Sequence, residues 1–168
     1  DPFHIRHFMH VAHEYFASKR SAMDLHCALS GIEIAMWDIV GKALEQPIYN
    51  LIGGPVRPRI RIYANGWSGG SPDEVAQKAA VLVDERGFNA LKFDPFPGPW
   101  REYVDRDELA QASATVDKVR EAVGPDVDLL IEVHRRLAPM NAIRVAKQME
   151  QYDPYWFEEP CPPDNIDA

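Results

Sequence analysis

The chain has 168 residues, of which 46% are hydrophobic and 26% charged, a composition typical of globular proteins. Its formal net charge of −8 disfavours a nucleic-acid partner, because a phosphate backbone binds basic surfaces. No apolar run approaches the roughly 20 residues of a membrane span, and Cys27 and Cys161 alone form no disulfide framework. We therefore predict a cytoplasmic protein without nucleic-acid or membrane partners.

The first third of the sequence predicts helices. Residues 1–20 have an amphipathic pattern, and a stronger helix is predicted from Ala22 to about Glu45, ended by Pro47. Its apolar residues recur at helical spacing and form a wide apolar stripe. The stripe consists of Leu25, Leu29, Ile32, Ala35, Met36, Ile39 and Val40.

After Pro58 the pattern changes to alternating strands and helices. Such alternation indicates an α/β fold with a parallel sheet and right-handed crossovers. The repeat of roughly 30 residues suits a barrel and a doubly wound sheet equally well. Strands are predicted at 59–64, 90–93, 129–133 and 155–157, and helices at 72–86, which has a capping box at its start, 107–123 and 139–149.

Two of these strands lead into a glutamate, Glu132 and Glu158. Parallel strands place their carboxyl ends at the same edge of the sheet, so we expect both carboxylates there. A carboxylate directly after an apolar strand must be compensated, and a hard divalent cation would do this. Pairing of each glutamate with a lysine or arginine at the rim is the alternative, and spacing alone does not decide between them.

Other chemistry-bearing residues follow the same strands. His134 lies two residues after Glu132 and can exchange a proton near neutral pH, although a loop histidine bound to a backbone carbonyl is the alternative. Lys92 could neutralise a substrate carboxylate or enolate, and Asp94 lies on the same side of its strand; an internal salt bridge is the alternative for this pair.

Two arginines follow the histidine. Arg135 and Arg136 could bind an anion, but loop arginines more often lie in water, and that is what we expect of both.

Four stretches, at 28–42, 46–54, 87–94 and 156–160, resemble the enolase superfamily in its mandelate racemase and muconate lactonizing enzyme branch. The resemblance implies an α+β capping domain followed by a modified (β/α)7β, TIM-like barrel. Here it assigns residues 1–57 to the helical end of the cap and residues 58–168 to the first barrel strands and helices.

The same resemblance implies a Mg²⁺ site. In this family three carboxylates at successive strand ends bind Mg²⁺, which stabilises an enolate formed next to a carboxylate. Glu132 and Glu158 occupy the positions of the first and second ligands, although the family often has Asp at the first. The third ligand is expected on a strand after Ala168, as is the general base.

Two short motifs indicate the reaction. Racemases of this branch commonly have Lys-x-Lys at the second strand, where this chain has Lys92-Phe93-Asp94. Glu132-Val133-His134 resembles the carboxylate-x-His pattern of galactonate, gluconate and mannonate dehydratases. The resemblance therefore makes His134 the general acid and lets Lys92 and Asp94 line the substrate site.

The sequence thus predicts a Mg²⁺-dependent acid-sugar dehydratase that acts on a small sugar acid and is a homo-oligomer when intact. A racemase or epimerase of the same branch is one alternative. The other is a truncated, non-catalytic half-barrel that acts only through association with another chain. At 168 residues the chain is short of the roughly 250 of a complete barrel, and we expect an inactive fragment.

Overall fold

The computed structural model describes residues 1–19, 22–98, 102, 104–165 and 167. The chain forms two compact units, Asp1–Ile60 and Arg61–Ala168. The domain boundary predicted after residue 57 lies within the first unit and stays a prediction. In the part of the chain that is described, no helix is long and apolar enough to cross a membrane.

The first unit consists of helices. Helix α1 (Ile5–Ala12) passes into a π-helical turn (His13–Ala17), and α2 (Met23–Ala43) and the single-turn helix α3 (Ile48–Leu51) follow. The helical prediction for residues 1–20 is confirmed over residues 5–17, which end in a π-helical turn, and residue 20 lies outside the described residues. The helix widens after Ala12, where the amide of Ser18 donates to the carbonyl of His13, five residues earlier.

The apolar stripe of α2 is buried over part of its length. Met36 and Val40 form a small core with Ile5 of α1. Ile32 and Ile39 are 48% and 47% exposed, so these two members of the predicted stripe lie outside the core. Within this unit α1 and α3 contact α2, and two short helices cover only part of a 21-residue helix.

The second unit contains the predicted parallel sheet, in the order β1-β2-β3. The α/β class is confirmed. The strands are β1 (Ala90–Phe93), β2 (Asp128–Glu132) and β3 (Trp156–Glu158), and the helices are α4 (Pro72–Asp84), α5 (Arg106–Val123) and α6 (Pro139–Met149). The capping box predicted at the start of α4 is present, and a second one begins α5.

The strand predicted at 59–64 is reduced to a single parallel bridge between Ala64 and Leu91. The amide of Ala64 donates to the carbonyl of Ala90, and the amide of Lys92 donates to the carbonyl of Ala64. Because β1 begins only at Ala90, the residues before Ala64 have no strand beside them with which to form a ladder.

The strands bury different residues on their two faces. Leu129 and Ile131 of β2 are fully buried in the main hydrophobic core, which also contains residues of α4, α5 and α6. Successive side chains of a strand point to opposite faces, so Leu130 and Glu132 lie on the other one. This second face carries the buried polar residues Lys92 and Glu132, and it leads directly to the candidate site.

Candidate active site at the carboxyl end of the sheet

The two strand-end glutamates lie beside each other, as the sequence predicts. Glu132 and Glu158 are register partners in the parallel ladder of β2 and β3. The ammonium group of Lys92, from β1, lies 2.7 Å from Oε2 of Glu132 and 2.5 Å from Oε1 of Glu158. The Lys92 and Glu132 side chains are only 11% and 5% exposed. Three neighbouring strands therefore bring one cation and two anions together in a largely buried position.

The environment keeps these groups charged. Burial alone would raise the pKa of Glu132, but hydrogen bonds from Lys92 and from the amide of His134 outweigh it, and the pKa is lowered. Burial alone would lower the pKa of Lys92, but its hydrogen bonds to Glu132 and Glu158 raise that pKa above the ordinary lysine value. Both directions describe a buried ion pair in which each charge stabilises the other.

The carboxylate of Glu158 has a further partner that the sequence analysis missed. The indole Nε1 of Trp156 donates a hydrogen bond of 2.9 Å to Oε2 of Glu158. Residues 156 and 158 lie on the same face of β3, because side chains two positions apart in a strand point the same way. This spacing in the sequence could have predicted the contact. The indole also packs edge-on against Tyr63, with ring centroids 5.7 Å apart. Both oxygens of Glu158 are thus held by protein donors.

His134 reaches the site through a turn rather than by continuation of β2. The strand ends at Glu132, and His134 and Arg135 both have left-handed backbone conformations, with φ of 55° and 58°. Such residues cost about 1–3 kcal/mol each and persist where the surroundings fix them. Here the amide of His134 donates to Oε1 of Glu132 at 2.8 Å, and the amide of Arg135 donates to the carbonyl of Glu159 at 2.6 Å.

Asp94 lies next to the imidazole of His134, with its Oδ2 3.1 Å from Nδ1. The same oxygen accepts a short hydrogen bond from Arg136. The Arg136 side chain is only 7% exposed, so the expectation that it lies in water is wrong. Arg135 does fit that expectation, because its side chain is 53% exposed. The assignment of Asp94 and Lys92 to substrate binding stays a prediction.

The two glutamates fit Mg²⁺ as oxygen ligands. Mg²⁺ and other hard cations prefer carboxylate oxygens, and these two carboxylates already converge on a cation, the ammonium of Lys92. Two anions against one ammonium leave one negative charge for a further cation. Among the described residues, however, no group of three or more His, Cys, Asp or Glu side chains could hold a metal ion. Pairing with a lysine, the alternative from the sequence, is what the structure contains.

Comparisons with known proteins cover nearly the whole chain. Residues 4–53 match the mandelate racemase/muconate lactonizing enzyme N-terminal domain, and residues 74–168 match the enolase C-terminal domain-like family. A D-gluconate dehydratase of Thermoproteus tenax is 44% identical over an alignment of 157 residues, and the match covers 92% of this chain and 31% of that protein. A D-gluconate/D-galactonate dehydratase of Picrophilus torridus is 36% identical, with 90% of this chain and 38% of that protein covered.

Solved structures give the same result. The crystal structure of a mandelate racemase/muconate lactonizing enzyme from Jannaschia sp. CCS1 superposes with a TM-score of 0.82 at 36% sequence identity. The match covers 99% of this chain and 46% of that one. The chain therefore spans about a third of the length of the curated relatives named above and slightly less than half of this solved structure.

Proposed function

The chain belongs to the mandelate racemase/muconate lactonizing enzyme family of the enolase superfamily, and from this premise we propose that it carries part of the active site of a Mg²⁺-dependent acid-sugar dehydratase. The superfamily and the fold class predicted from the sequence, a partial TIM-like barrel with the helical end of a capping domain, are confirmed. The curated relatives are named as dehydratases of D-gluconate and D-galactonate, which supports the choice of reaction.

In the proposed reaction, a general base of the intact enzyme takes the proton next to the carboxylate of a sugar acid, and the 3-hydroxyl group then leaves as water. The electron pair of the C–H bond forms the enolate, which returns it to the carbon skeleton as the C–O bond breaks. The enol product then tautomerises to a 2-keto-3-deoxy acid. The expelled hydroxyl must receive a proton, so the site needs an acid as well as stabilisation of negative charge.

The position of His134 is the observation that carries this proposal. Its ring belongs to the same cluster as the strand-end carboxylate Glu132, with Nδ1 3.9 Å from Oε1. Its side chain is 41% exposed, so a substrate can reach it. An imidazole can donate a proton near neutral pH, and we assign it the role of general acid toward the leaving 3-hydroxyl.

Charge stabilisation is assigned to the other strand ends. Glu132 and Glu158 would hold Mg²⁺, which when bound stabilises the negative charge of the enolate. Lys92 supplies a fixed positive charge between the strands, and we assign it to the carboxylate or enolate oxygen of the substrate. Their mutual pairing offsets part of the free-energy cost of removing these charges from water.

A racemase or epimerase of the same family is the alternative. It is disfavoured because a racemase would need a base where this chain has Asp94, and that carboxylate is hydrogen-bonded to Arg136. A non-catalytic half-barrel would leave the polar cluster at the strand ends without a role. A homo-oligomer and a cytoplasmic location belong to the same proposal.

The product of the reaction distinguishes these functions. In the experiment, this chain replaces the aligned segment of the Thermoproteus tenax enzyme, and the chimera is incubated with D-gluconate, D-galactonate and other sugar acids with Mg²⁺. Proton NMR should detect a 2-keto-3-deoxy acid, and chelation of Mg²⁺ should abolish its formation. Formation of an epimer, or no reaction by a chimera whose thermal unfolding is cooperative, would overturn the proposal.

A matched pair of variants tests the two glutamates as metal ligands. Glu158→Gln should weaken Mn²⁺ binding to the chimera, measured by electron paramagnetic resonance, by at least about tenfold. Glu159→Gln is the control, because this neighbouring carboxylate lies against Arg135 instead. Equal affinities of the two variants would rule out Glu158 as a ligand.

A further inference from the structure

Among the described residues, three protein groups hold the carboxylate of Asp94. Its Oδ1 accepts a hydrogen bond of 2.9 Å from the amide of Phe96. Its Oδ2 contacts Nδ1 of His134 at 3.1 Å and accepts a hydrogen bond from Arg136. Both oxygens are therefore directed at fixed parts of the protein.

Arg136 fixes Asp94 from the buried side. Its side chain is only 7% exposed, and its guanidinium lies 5.7 Å from the ring centroid of Phe96, which is itself buried. A planar guanidinium packed over an aromatic ring has few other orientations, and a buried charge does not leave its partner readily. Arg136 and the amide of Phe96 thus determine where the Asp94 carboxylate lies.

Two of the contacts of His134 connect it to the strand-end residues. Its backbone amide donates to Oε1 of Glu132, and its Nδ1 contacts Asp94. An ionised carboxylate can accept hydrogen bonds but cannot donate them. Nδ1 of the imidazole must therefore carry the proton in this contact. The proton that His134 exchanges with a ligand is then the one on Nε2.

We propose that Asp94 is a positioning residue that fixes the ring and the tautomer of His134, and that Arg136 in turn fixes Asp94. Carboxylate, imidazole and reacting group would then lie in series, the arrangement by which an aspartate orients a catalytic histidine in hydrolases. This role replaces the substrate contact that the sequence predicted for Asp94. Its catalytic consequence rests on the function proposed for His134, whereas the structural relationship does not.

The tautomer of His134 tests the structural relationship in the chain itself. The ring nitrogens are observed by ¹⁵N NMR at a pH where the imidazole is neutral, with His134→Asn used to assign the signal. In the unmodified chain we expect the Nδ1–H tautomer. The Nε2–H tautomer, which free histidine prefers, would overturn the proposal without any need for an Asp94 variant.

Two variants extend this measurement. Asp94→Ala should shift His134 to a mixture dominated by Nε2–H, and Glu159→Ala, which removes a carboxylate from the neighbouring strand end, should leave the tautomer unchanged. An unchanged tautomer in folded Asp94→Ala would overturn the proposal.

Kinetics of the chimera test the consequence for catalysis. Asp94→Ala and Arg136→Met should each lower kcat by about 10- to 100-fold and leave KM within about twofold. A decrease of this size is usual when a residue that orients a functional side chain is removed. Arg136→Lys should recover part of the loss. A raised KM with unchanged kcat would assign Asp94 to substrate binding and contradict the proposal. If the unmodified chimera has no activity, the proposed function fails, but the NMR result still decides the role of Asp94.

Discussion

Glu132 and Glu158 are register partners in adjacent parallel strands, and the ammonium of Lys92 lies within 2.7 Å of one carboxylate and 2.5 Å of the other. Two like charges in this position would repel each other strongly without a cation between them. The two carboxylates at the carboxyl end of the sheet therefore require positive charge beside them. Lys92 supplies one positive charge, and the proposed Mg²⁺ would supply the remainder.

Removal of Lys92 should destabilise the chain substantially. Lys92→Met leaves Glu132 buried without its main partner, and breaking a buried pair from one side costs about 3–5 kcal/mol. Urea unfolding should show this loss in the free energy of unfolding. Lys42→Met, which removes an exposed pair with Asp38, should cost less than about 1 kcal/mol. Equal costs would contradict the account of the buried pair.

Neutralising both partners should cost less than removing one. The double variant Lys92→Met/Glu132→Gln removes both charges of the buried pair, so neither is left without its partner. Part of the stability lost in Lys92→Met should therefore return. The double-mutant cycle should give a coupling free energy of at least about 1 kcal/mol. Additive losses would show that the two side chains do not stabilise each other.

Stability should fall as the pH falls through the acid range. The pKa of Glu132 is lower in the folded chain than in the unfolded chain, so the unfolded state binds more protons in this range. Its contribution is fully present above the ordinary glutamate pKa and is lost as the pH falls through the lowered pKa of the folded state. Glu132→Gln should flatten this limb in pH-dependent urea unfolding, whereas a slope identical to that of the unmodified chain would contradict the pairing.

At high pH the sign is reversed. The pKa of Lys92 is raised in the folded chain, so its contribution is fully present below the ordinary lysine pKa and is lost as the pH rises through the raised value. The loss therefore begins near the ordinary lysine pKa, where the unfolded chain releases its proton, and is complete above the raised pKa of the folded chain. Lys92→Met should lack this component, and Lys42→Met is again the exposed control.

The hydrogen bond from the Trp156 indole to the Glu158 carboxylate should contribute measurably to stability. Trp156→Phe removes the hydrogen bond to Oε2 and keeps an aromatic ring beside Tyr63, so a loss of about 1 kcal/mol is expected. Trp37→Phe is the control, because its bond to Glu33 is long, at 3.4 Å, and should contribute less. In NMR spectra Glu158→Gln should move the indole N–H signal of Trp156, and an unmoved signal would exclude the contact.

Much of this fold can be predicted from local sequence. Apolar strand runs, the capping box at Ser71 and the regular alternation of strands and helices predict the parallel sheet, and parallel strands bring Glu132 and Glu158 together. The prediction of a strand at 59–64 is wrong because a β-ladder needs a neighbouring strand of matching length. β1 offers one only from Ala90 onward, and that limit cannot be seen in residues 59–64 themselves.

The details of the site depend on long-range contacts. Lys92 is 66 residues away from Glu158 in the sequence, so spacing could not decide between an ion pair and a metal site. The burial of Arg136 follows from Asp94 and Phe96, which lie about 40 positions earlier in the chain. The left-handed turn at His134 and Arg135 is likewise held by a distant residue, because the amide of Arg135 donates to the carbonyl of Glu159. None of these relationships has a local sequence signature.

His134 is proposed to protonate the leaving hydroxyl, and one experiment on the chimera separates that step from proton abstraction. In ²H₂O, with the sugar acid found to be a substrate, NMR follows both exchange of the α-proton and formation of the 2-keto-3-deoxy acid. His134→Asn should retain exchange and lose product formation by about 10²–10⁴-fold, whereas His10→Asn, on the exposed surface of α1, should lose neither. Undiminished product formation by His134→Asn would contradict the account.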